Sequence, residues 1–422
     1  MKPNIALDRT IVVDASDEVV HVLLELTAPA APEVERSPLD VVLVIDRSGS
    51  MAGAPLIAVT KAVARLIRQA GPDDRIGVVA FDSEVMTVLP LGRHTEQSAI
   101  DSVLAIGPGG STNLSGGWLA GRQMLVESPR ENALSRVVVL TDGHANAGVR
   151  DTDALADMVS GGRVNSISTS FIGFGSGYDE ELLAALADSG SGEDYFCGDA
   201  DQAAAVFEAE LGGLARVVAQ NLTVDVKPTS AVAVAGQLND FPVASIGDAG
   251  EVRLSIGDAY GDEVRSVVLA FHLRPQTITG AFDVAELVLR WVSTTEGFAA
   301  HEVTVPVSVT AGVSGAHDAG ADPRVTELVT VLAAERERRE ARRRADEADF
   351  EGAEQALIQS LFLMRQTSVP QARLAELDQE LNLIRSRKWD GFASKRAYSG
   401  TREAMRSRRK RYMADPEDNK GA

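Results

Sequence analysis

The feature that most constrains the fold is an alternation of short apolar runs with helix-period segments over residues 39–219. Residues 40–46 (DVVLVID) and 136–142 (RVVVLTD) are apolar almost throughout, which is typical of strands buried on both faces of a parallel sheet. Residues 55–70 instead place their apolar side chains at helical spacing. A further run contains Pro90, which favours an antiparallel edge strand. The alternation predicts βαβ units and a doubly wound, mostly parallel α/β sheet.

The segments on either side of this domain have a different period. Residues 220–312 contain apolar runs with two-residue alternation, separated by turn residues, which indicates antiparallel β structure. Residues 1–38 show the same alternation, and a two-stranded piece is rarely stable alone. We therefore expect residues 1–38 to pair with residues 220–312, so that the α/β domain is inserted into an antiparallel β-sandwich.

The C-terminal part of the chain returns to a helical period after a Gly- and Ala-rich linker. Residues 323–388 predict a small helical bundle or a single repeat-like hairpin. Within them, the charged run 335–349 has many oppositely charged i,i+4 pairs, and its default interpretation is a solvated helix face. Apolar periodicity is weak over residues 389–422, where we expect a flexible basic tail.

Basic residues are concentrated in this tail, although the formal net charge of the chain is −20. The strongest run consists of Arg406, Arg408, Arg409, Lys410 and Arg411. A solubilising tail is the default interpretation. The alternatives are an arm that binds an acidic partner or nucleic acid, and a segment regulated by phosphorylation nearby. The acidic balance of the rest argues against broader nucleic-acid binding.

Cysteine usage and hydropathy suggest a compartment. The single cysteine, Cys197, excludes a disulfide framework and a thiolate metal cluster, and it fits a reducing environment. No apolar run approaches the roughly 18 residues of a transmembrane helix, so an integral membrane segment is not expected. The first residues lack the apolar core of a secretory signal. These features predict a cytoplasmic protein.

Polar side chains follow the predicted strands at their carboxyl ends. Asp46, Ser48 and Ser50 share the loop after the first strand of the α/β domain, Thr112 lies in a GGSTN loop, and Asp142 ends the strand 136–142. Ligands of open α/β sheets bind at the carboxyl edge, so these side chains are candidates for one site. Hydroxyl and carboxylate oxygens suit Mg²⁺, Mn²⁺ or Ca²⁺ and are poor ligands for zinc or copper.

The order Asp46-x-Ser48-x-Ser50, Thr112 and Asp142 resembles the metal-ion-dependent adhesion site (MIDAS) of von Willebrand factor A (VWA) domains. The resemblance implies that Ser48 and Ser50 ligate the metal directly and Thr112 directly or through water. It implies that Asp46 and Asp142 act through water or as hydrogen-bonded neighbours. The wider layout is similar to that of bacterial VWA proteins in which β segments flank the domain and a helical region follows.

The function that the resemblance implies is divalent-cation-dependent binding of a partner protein, with an exposed Asp or Glu of the partner at the metal. One alternative is an adaptor or substrate-recruiting partner of an AAA+ ATPase. Another is a regulator associated with a channel or membrane complex. Three loop residues are weaker candidates for partner contacts, with a default as ordinary surface or turn residues: Arg47, His144 and Asn146.

Catalytic motifs are missing from the sequence. A phosphate-binding GxxxxGK[ST] loop and a GxSxG nucleophile elbow are both absent. Asp46 has the place of an aspartyl-phosphate nucleophile, but Ser48 stands where a second acid is required. We therefore expect a binding protein rather than an enzyme.

Overall fold

The computed structural model describes most of the chain. The described residues are 1–13, 18–31, 37–142, 145–198, 202–248, 250–275, 280–312 and 320–406.

The helices and strands follow one another in three blocks. The N-terminal strands are β1 (Lys2–Leu7), β2 (Ile11–Val13) and β3 (Val19–Thr27). The strands of the α/β domain are β4 (Leu39–Asp46), β5 (Arg75–Phe81), β6 (Val85–Gly92), β7 (Leu134–Thr141), β8 (Ile167–Phe174) and β9 (Ser191–Cys197). Its helices are α1 (Ala54–Gln69), α2 (Gln97–Leu104), α3 (Leu114–Glu127), α4 (Thr152–Ser160), α5 (Glu180–Ser189) and α6 (Ala203–Leu214).

The second half contains the remaining elements. The strands are β10 (Val217–Pro228), β11 (Val232–Gln237), β12 (Val243–Ser245), β13 (Val252–Tyr260), β14 (Val264–Leu273), β15 (Gly280–Ser293) and β16 (Ala299–Gly312). The helices are α7 (Pro323–Asp346), α8 (Phe350–Met364), α9 (Gln371–Arg385) and α10 (Gly391–Met405).

The α/β domain is built on one twisted sheet with the strand order β6-β5-β4-β7-β8-β9. Every neighbouring pair is parallel except β5 and β6, so the strand with Pro90 is an antiparallel edge strand as predicted. All residues of β4 and β8 are buried, because helices cover both faces of the sheet. The predicted doubly wound α/β fold is confirmed.

The N-terminal strands belong to the same sandwich as the strands after the α/β domain. β3 pairs antiparallel with β14 from Thr27 opposite Val264 to Val19 opposite His272. The sheet β1-β3-β14-β11 packs against the sheet β12-β13-β10-β15-β16-β2 around a continuous apolar core. The α/β domain is therefore an insertion, as predicted. The pairing of β2 with β16 is parallel, which departs from the purely antiparallel expectation.

The charged stretch of α7 is not a uniformly solvated face, and this prediction is wrong. Glu335 and Arg338 are almost completely buried. Arg338 binds Glu380 of α9, and Arg373 of α9 binds Glu335. These ion pairs offset the cost of taking the charges out of water, so buried charged pairs join α7 to α9 beside the apolar core to which α7 contributes Ala334, Ala341 and Ala345.

The prediction of a flexible tail from residue 389 is wrong over α10. Asp390 caps this helix by accepting a hydrogen bond from the backbone N–H of Ala393 (2.9 Å). Small residues such as Gly400 allow α10 to lie close to α7 and α9. Arg406 directly follows the helix and is buried against Asp188. The other residues of the predicted basic run, Arg408, Arg409, Lys410 and Arg411, lie outside the described residues.

Within the described part of the chain, no helix combines the length and the apolar character needed to cross a membrane.

Candidate metal centre

Asp46 forms the fixed base of the site at the end of β4. Its side chain is fully buried. Oδ1 accepts a hydrogen bond from the backbone N–H of Ser48 (2.8 Å), and Oδ2 accepts one from Oγ1 of Thr141 (2.6 Å). Burial raises the pKa of Asp46, and the bonds from Thr141 and Ser48 partly oppose that effect. Because both carboxylate oxygens already accept protein hydrogen bonds, this residue positions the loop.

Two serines and the second carboxylate meet above this base. Oγ of Ser48 lies 3.2 Å from Oγ of Ser50, and Oγ of Ser50 donates to Oδ1 of Asp142 (2.7 Å). Ser48 is buried, Ser50 is exposed, and Asp142 is half-buried. Burial raises the pKa of Asp142, and the bond from Ser50 works against it. The structure thus brings Asp46, Ser48, Ser50 and Asp142 into one oxygen cluster, as the sequence predicts.

Thr112 lies on a second loop that is bonded to the first. The backbone N–H of Gly49 donates to the carbonyl of Gly110 (3.0 Å), and that of Gly109 donates to the carbonyl of Arg47 (2.6 Å). Thr112 itself is buried, and its N–H donates to Oδ1 of Asn146 (2.8 Å). These bonds hold the two loops in a fixed relation.

Asp82 is a positioning residue that the sequence analysis missed. Its Oδ2 accepts from the backbone N–H of Gly110 (2.8 Å), and it forms an ion pair with Arg47 (3.0 Å). Burial would raise the pKa of Asp82, but hydrogen bonds from Glu84 and Gly110 and the Arg47 charge lower it overall. Asp82 directly follows β5. The rule that ligands of an open α/β sheet bind at the carboxyl ends of its strands could therefore have identified it.

Glycine is required where Asp82 meets the second loop. A Cβ atom on Gly109 would lie 1.7 Å from Oδ2 of Asp82. Only a residue without a side chain lets the loop approach this carboxylate.

Two of the three predicted rim residues bind other residues of the site, and the third lies outside the described residues. Arg47 pairs with Asp82 in the turn after β5 and is not the solvent-facing arginine of the default interpretation. Asn146 holds Thr112 from both sides, because its N–H also donates to the Thr112 carbonyl (3.2 Å). His144 lies outside the described residues.

The donor set fits a hard divalent cation. Among the described residues, no group of three or more His, Cys, Asp or Glu side chains is placed to hold a metal ion. A metal here must therefore use hydroxyls, and the contacting oxygens of Ser48, Ser50 and Asp142 provide two hydroxyls and a carboxylate. Oxygen-only ligands favour Mg²⁺, Mn²⁺ or Ca²⁺ over softer metals.

Comparison with a family model identifies the inserted domain. Residues 40–209 match the model of the von Willebrand factor type A domain. The matched segment covers β4 to the middle of α6, and the α/β domain is therefore a VWA domain. VWA domains are commonly protein–protein interaction modules.

Two curated relatives are similar over most of the chain. An uncharacterized protein of Synechocystis sp. is 26% identical over 78% of this chain and 79% of its own length. The E3 ubiquitin-protein ligase WAV3 of Arabidopsis thaliana is 27% identical over 80% of this chain but only 44% of its own length. The second relative therefore contains much that this chain does not match.

Solved structures share the whole architecture at low sequence identity. A von Willebrand factor type A protein from Catenulispora acidiphila superposes with a TM-score of 0.68, at 17% identity, over 91% of this chain and 89% of its own. The ArnB paralog VWA2 from Sulfolobus acidocaldarius superposes with a TM-score of 0.66, also at 17% identity, over 96% of this chain and 98% of its own. At this identity the likeness establishes the fold.

Proposed function

We propose that the VWA domain of this chain binds partner proteins through a divalent cation, in the first place Mg²⁺. Ser48, Ser50 and Thr112 hold the metal, while Asp46 and Asp142 act through water molecules or hydrogen bonds. An Asp or Glu side chain of the partner completes the coordination. The observation that carries the proposal is the contact of Ser50 with both Ser48 and Asp142 above the locked carboxylate of Asp46.

The chemistry of this donor set favours an anionic partner. Hydroxyl ligands are neutral, and a carboxylate that acts through water neutralises a cation less than one bound directly. The metal therefore retains positive charge at its open side, where an exposed carboxylate supplies a hard oxygen. The proposed role is binding without catalysis, in keeping with the general character of VWA domains. The ligase activity in the name of the Arabidopsis relative belongs to a protein of which this chain matches less than half.

The metal step is tested with Ser50→Ala, because Ser50 is exposed and its loss leaves the buried hydrogen bonds of Asp46 intact. Mn²⁺ binding, measured by titration calorimetry, should weaken at least about tenfold. Ser111→Ala is the matched control. The hydroxyl of Ser111 is exposed, lies on the same loop as Thr112 and is not a proposed ligand. Equal affinity of Ser50→Ala and the unchanged protein for Mn²⁺ would refute the site.

The partner step is tested by affinity capture from native lysate with Mg²⁺ or with EDTA. Proteins retained by the unchanged chain in Mg²⁺ should be lost in EDTA and lost again with Ser50→Ala. Retention of the same proteins under all three conditions would place partner binding on the sandwich or the helices instead.

A further inference from the structure

The outer face of α8 carries two large apolar side chains that water can reach. Ile358 is 43% exposed and Phe362 is 61% exposed, and they lie one turn apart on the same side of the helix. The opposite side of α8 supplies the apolar residues that pack against α7 and α9, which are Ala353, Ala356, Leu357, Leu361 and Met364. An amphipathic helix has one apolar face for the core, so the second face indicates a contact surface.

The exposed positions of α8 have the spacing of a helix–helix seam. Five exposed residues succeed one another at intervals of four, three, four and three positions: Glu351, Gln355, Ile358, Phe362 and Arg365. This alternation keeps side chains on one line along a helix, as at the a and d positions of a heptad. The helix has 15 residues, so the line is about 22 Å long.

The middle of this face carries no charge. Residues 355–364 contain no Asp, Glu, Lys or Arg, whereas nine of the ten residues 335–344 of α7 are charged. The formal net charge of the chain is −20, so two copies repel each other over most of their surfaces. A neutral stretch allows two copies to meet without bringing like charges together.

The two ends of the face carry opposite charges. Glu351 lies in the first turn of α8, and Arg365 directly follows the helix. Arg365 contacts Asp378 at 3.7 Å, and their side chains are 62% and 49% exposed, so this pair holds the guanidinium group only weakly. In a parallel pair of α8 helices each end would face its own copy and repel it. In an antiparallel pair the acidic end faces the basic end, so the charges select this orientation.

We propose that the outer face of α8 binds a second copy of this chain, with the two α8 helices antiparallel across a two-fold axis. With the axis midway between Ile358 and Phe362, Ile358 of each copy packs against Phe362 of the other. Arg365 then lies opposite Gln355 of the second copy and about 6 Å along the helix from its Glu351. Such an interface is isologous, so every contact occurs twice.

The size of the face predicts a weak dimer. Two helices of 15 residues meet over about two heptads, fewer than the three or four that identify a coiled coil. Transient interfaces bury less than about 1,200 Å² in total. We therefore expect a Kd on the order of 10 µM.

The inference goes beyond the proposed function and does not depend on it. The candidate metal centre lies in the VWA domain, and α8 lies in the helical region. A dimer carries two such centres, so a partner with two acidic sites would be bound with avidity.

The test is sedimentation velocity of the full chain from about 1 µM to about 200 µM, over which the unchanged protein should pass from monomer to dimer. Phe362→Gln should raise the dimer Kd at least about tenfold, because both Phe362 contacts are lost. Leu119→Gln is the matched control. Leu119 is 45% exposed on α3 of the VWA domain, and its substitution should leave the Kd unchanged. Circular dichroism should be the same for all three proteins, since both side chains are exposed.

Charge reversal tests the orientation of the two helices. Glu351→Arg and Arg365→Glu should each raise the Kd about two- to fivefold, because each brings like charges together at both ends of the interface. The double variant E351R/R365E should recover the affinity of the unchanged chain, because the antiparallel pair then only exchanges its two ends.

The outcomes separate the dimer from the metal function. A monomer at every concentration would overturn the inference, and so would a dimer with the same Kd in Phe362→Gln. A double reversal as weak as the single variants would overturn the antiparallel arrangement. Mn²⁺ affinity of Phe362→Gln should equal that of the unchanged chain, so loss of the dimer leaves the metal site standing, and the Ser50→Ala titration decides that site separately.

Discussion

The VWA domain is held by its two neighbours in different ways. Its joint with the sandwich, here called the buried joint, consists of Arg136, Glu210 and Asp258. Its joint with the last helix, here called the helix joint, consists of Lys395, Arg402 and Arg406 with Glu180, Asp188 and Asp194. Side chains of the buried joint are at most 2% exposed, whereas those of the helix joint reach 17%.

In the buried joint, one arginine forms ion pairs with two carboxyl groups. Arg136 of β7 binds Glu210 of α6 (2.9 Å) and Asp258 of β13, and Glu193 lies nearby. Burial first, and then repulsion from Glu193 and Glu210, raises the pKa of Asp258 to about 6, although Arg136 opposes the shift. Negative charge is in excess here, so a proton on Asp258 strengthens the joint.

In the helix joint, the carboxylate of Asp188 forms ion pairs with two arginines. Arg402 and Arg406 both bind Asp188, and Arg402 also binds Asp194 (2.6 Å). Burial alone would raise the pKa of Asp188, but the two guanidinium groups more than offset it and lower the pKa overall. The two carboxyl groups thus respond to pH in opposite directions, because Asp258 shares its arginine with other carboxylates whereas Asp188 binds two arginines.

Arg136→Met is expected to have the largest effect, since it leaves Glu210 and Asp258 buried without their cation. Breaking a buried ion pair from one side typically costs about 3–5 kcal/mol. The free energy of unfolding, measured in urea, should fall by that amount. Arg163→Met, at an exposed arginine of the same domain, should change it by less than about 0.5 kcal/mol. Equal stability of both variants would mean that the buried joint contributes nothing.

Arg402→Met should have a smaller and more local effect. It removes hydrogen bonds to Asp188 and Asp194, but Arg406 still binds Asp188. Hydrogen bonds with charged groups contribute about 1.5–3 kcal/mol. Amides of α10 should therefore exchange hydrogen roughly 30-fold faster, for a loss of about 2 kcal/mol, while β13 is unaffected. Arg396→Met, at an exposed position of α10, is the control, and similar exchange in both variants would contradict the assignment.

The two joints also mark the limit of what the sequence could predict. Buried strands such as β4 were predicted because their period is local. The meeting of Asp46, Ser48, Ser50 and Asp142 was predicted because strand ends converge, and the binding of a metal by them stays a prediction. The ion pairs join residues far apart, such as Arg402 and Asp194, which are separated by 208 positions. A charged residue that will be buried has the same local sequence as one that stays in water. For that reason α10 was predicted as a tail and Arg338 as a surface residue.

The pH response of Asp258 sharpens the comparison. The pKa of Asp258 is near 4 in the unfolded chain and about 6 in the folded protein. A carboxyl group with a raised folded pKa stabilises the fold fully below the unfolded pKa. This contribution is lost as pH rises through the folded pKa. Between pH 5 and pH 7 the unfolding free energy should fall by roughly 1 kcal/mol. Asp258→Asn, which cannot ionise, should flatten this part of a urea-unfolding pH series. An unchanged slope in that variant would assign the response to another group.

Below pH 4 the helix joint should respond in the opposite direction. The lowered pKa of Asp188 means that its contribution is present above about pH 4 and lost as pH falls through the lower folded value. Protection of α10 amides, relative to their intrinsic exchange rate at each pH, should fall on this acidification more than protection of β13 amides. Asp188→Asn should remove most of that difference.

Salt should have the smallest effect, and only on the helix joint. The Debye length falls from about 10 Å at 0.1 M to about 3 Å at 1 M, and screening acts on charges that water can reach. Partly exposed pairs contribute up to about 1 kcal/mol each, so exchange of α10 amides should quicken about two- to fivefold over this range. The buried pairs of Arg136 are screened far less, so exchange in β13 should stay constant. The helix joint should therefore loosen in salt while the buried joint holds, and a matching response of β13 and α10 would remove the distinction between them.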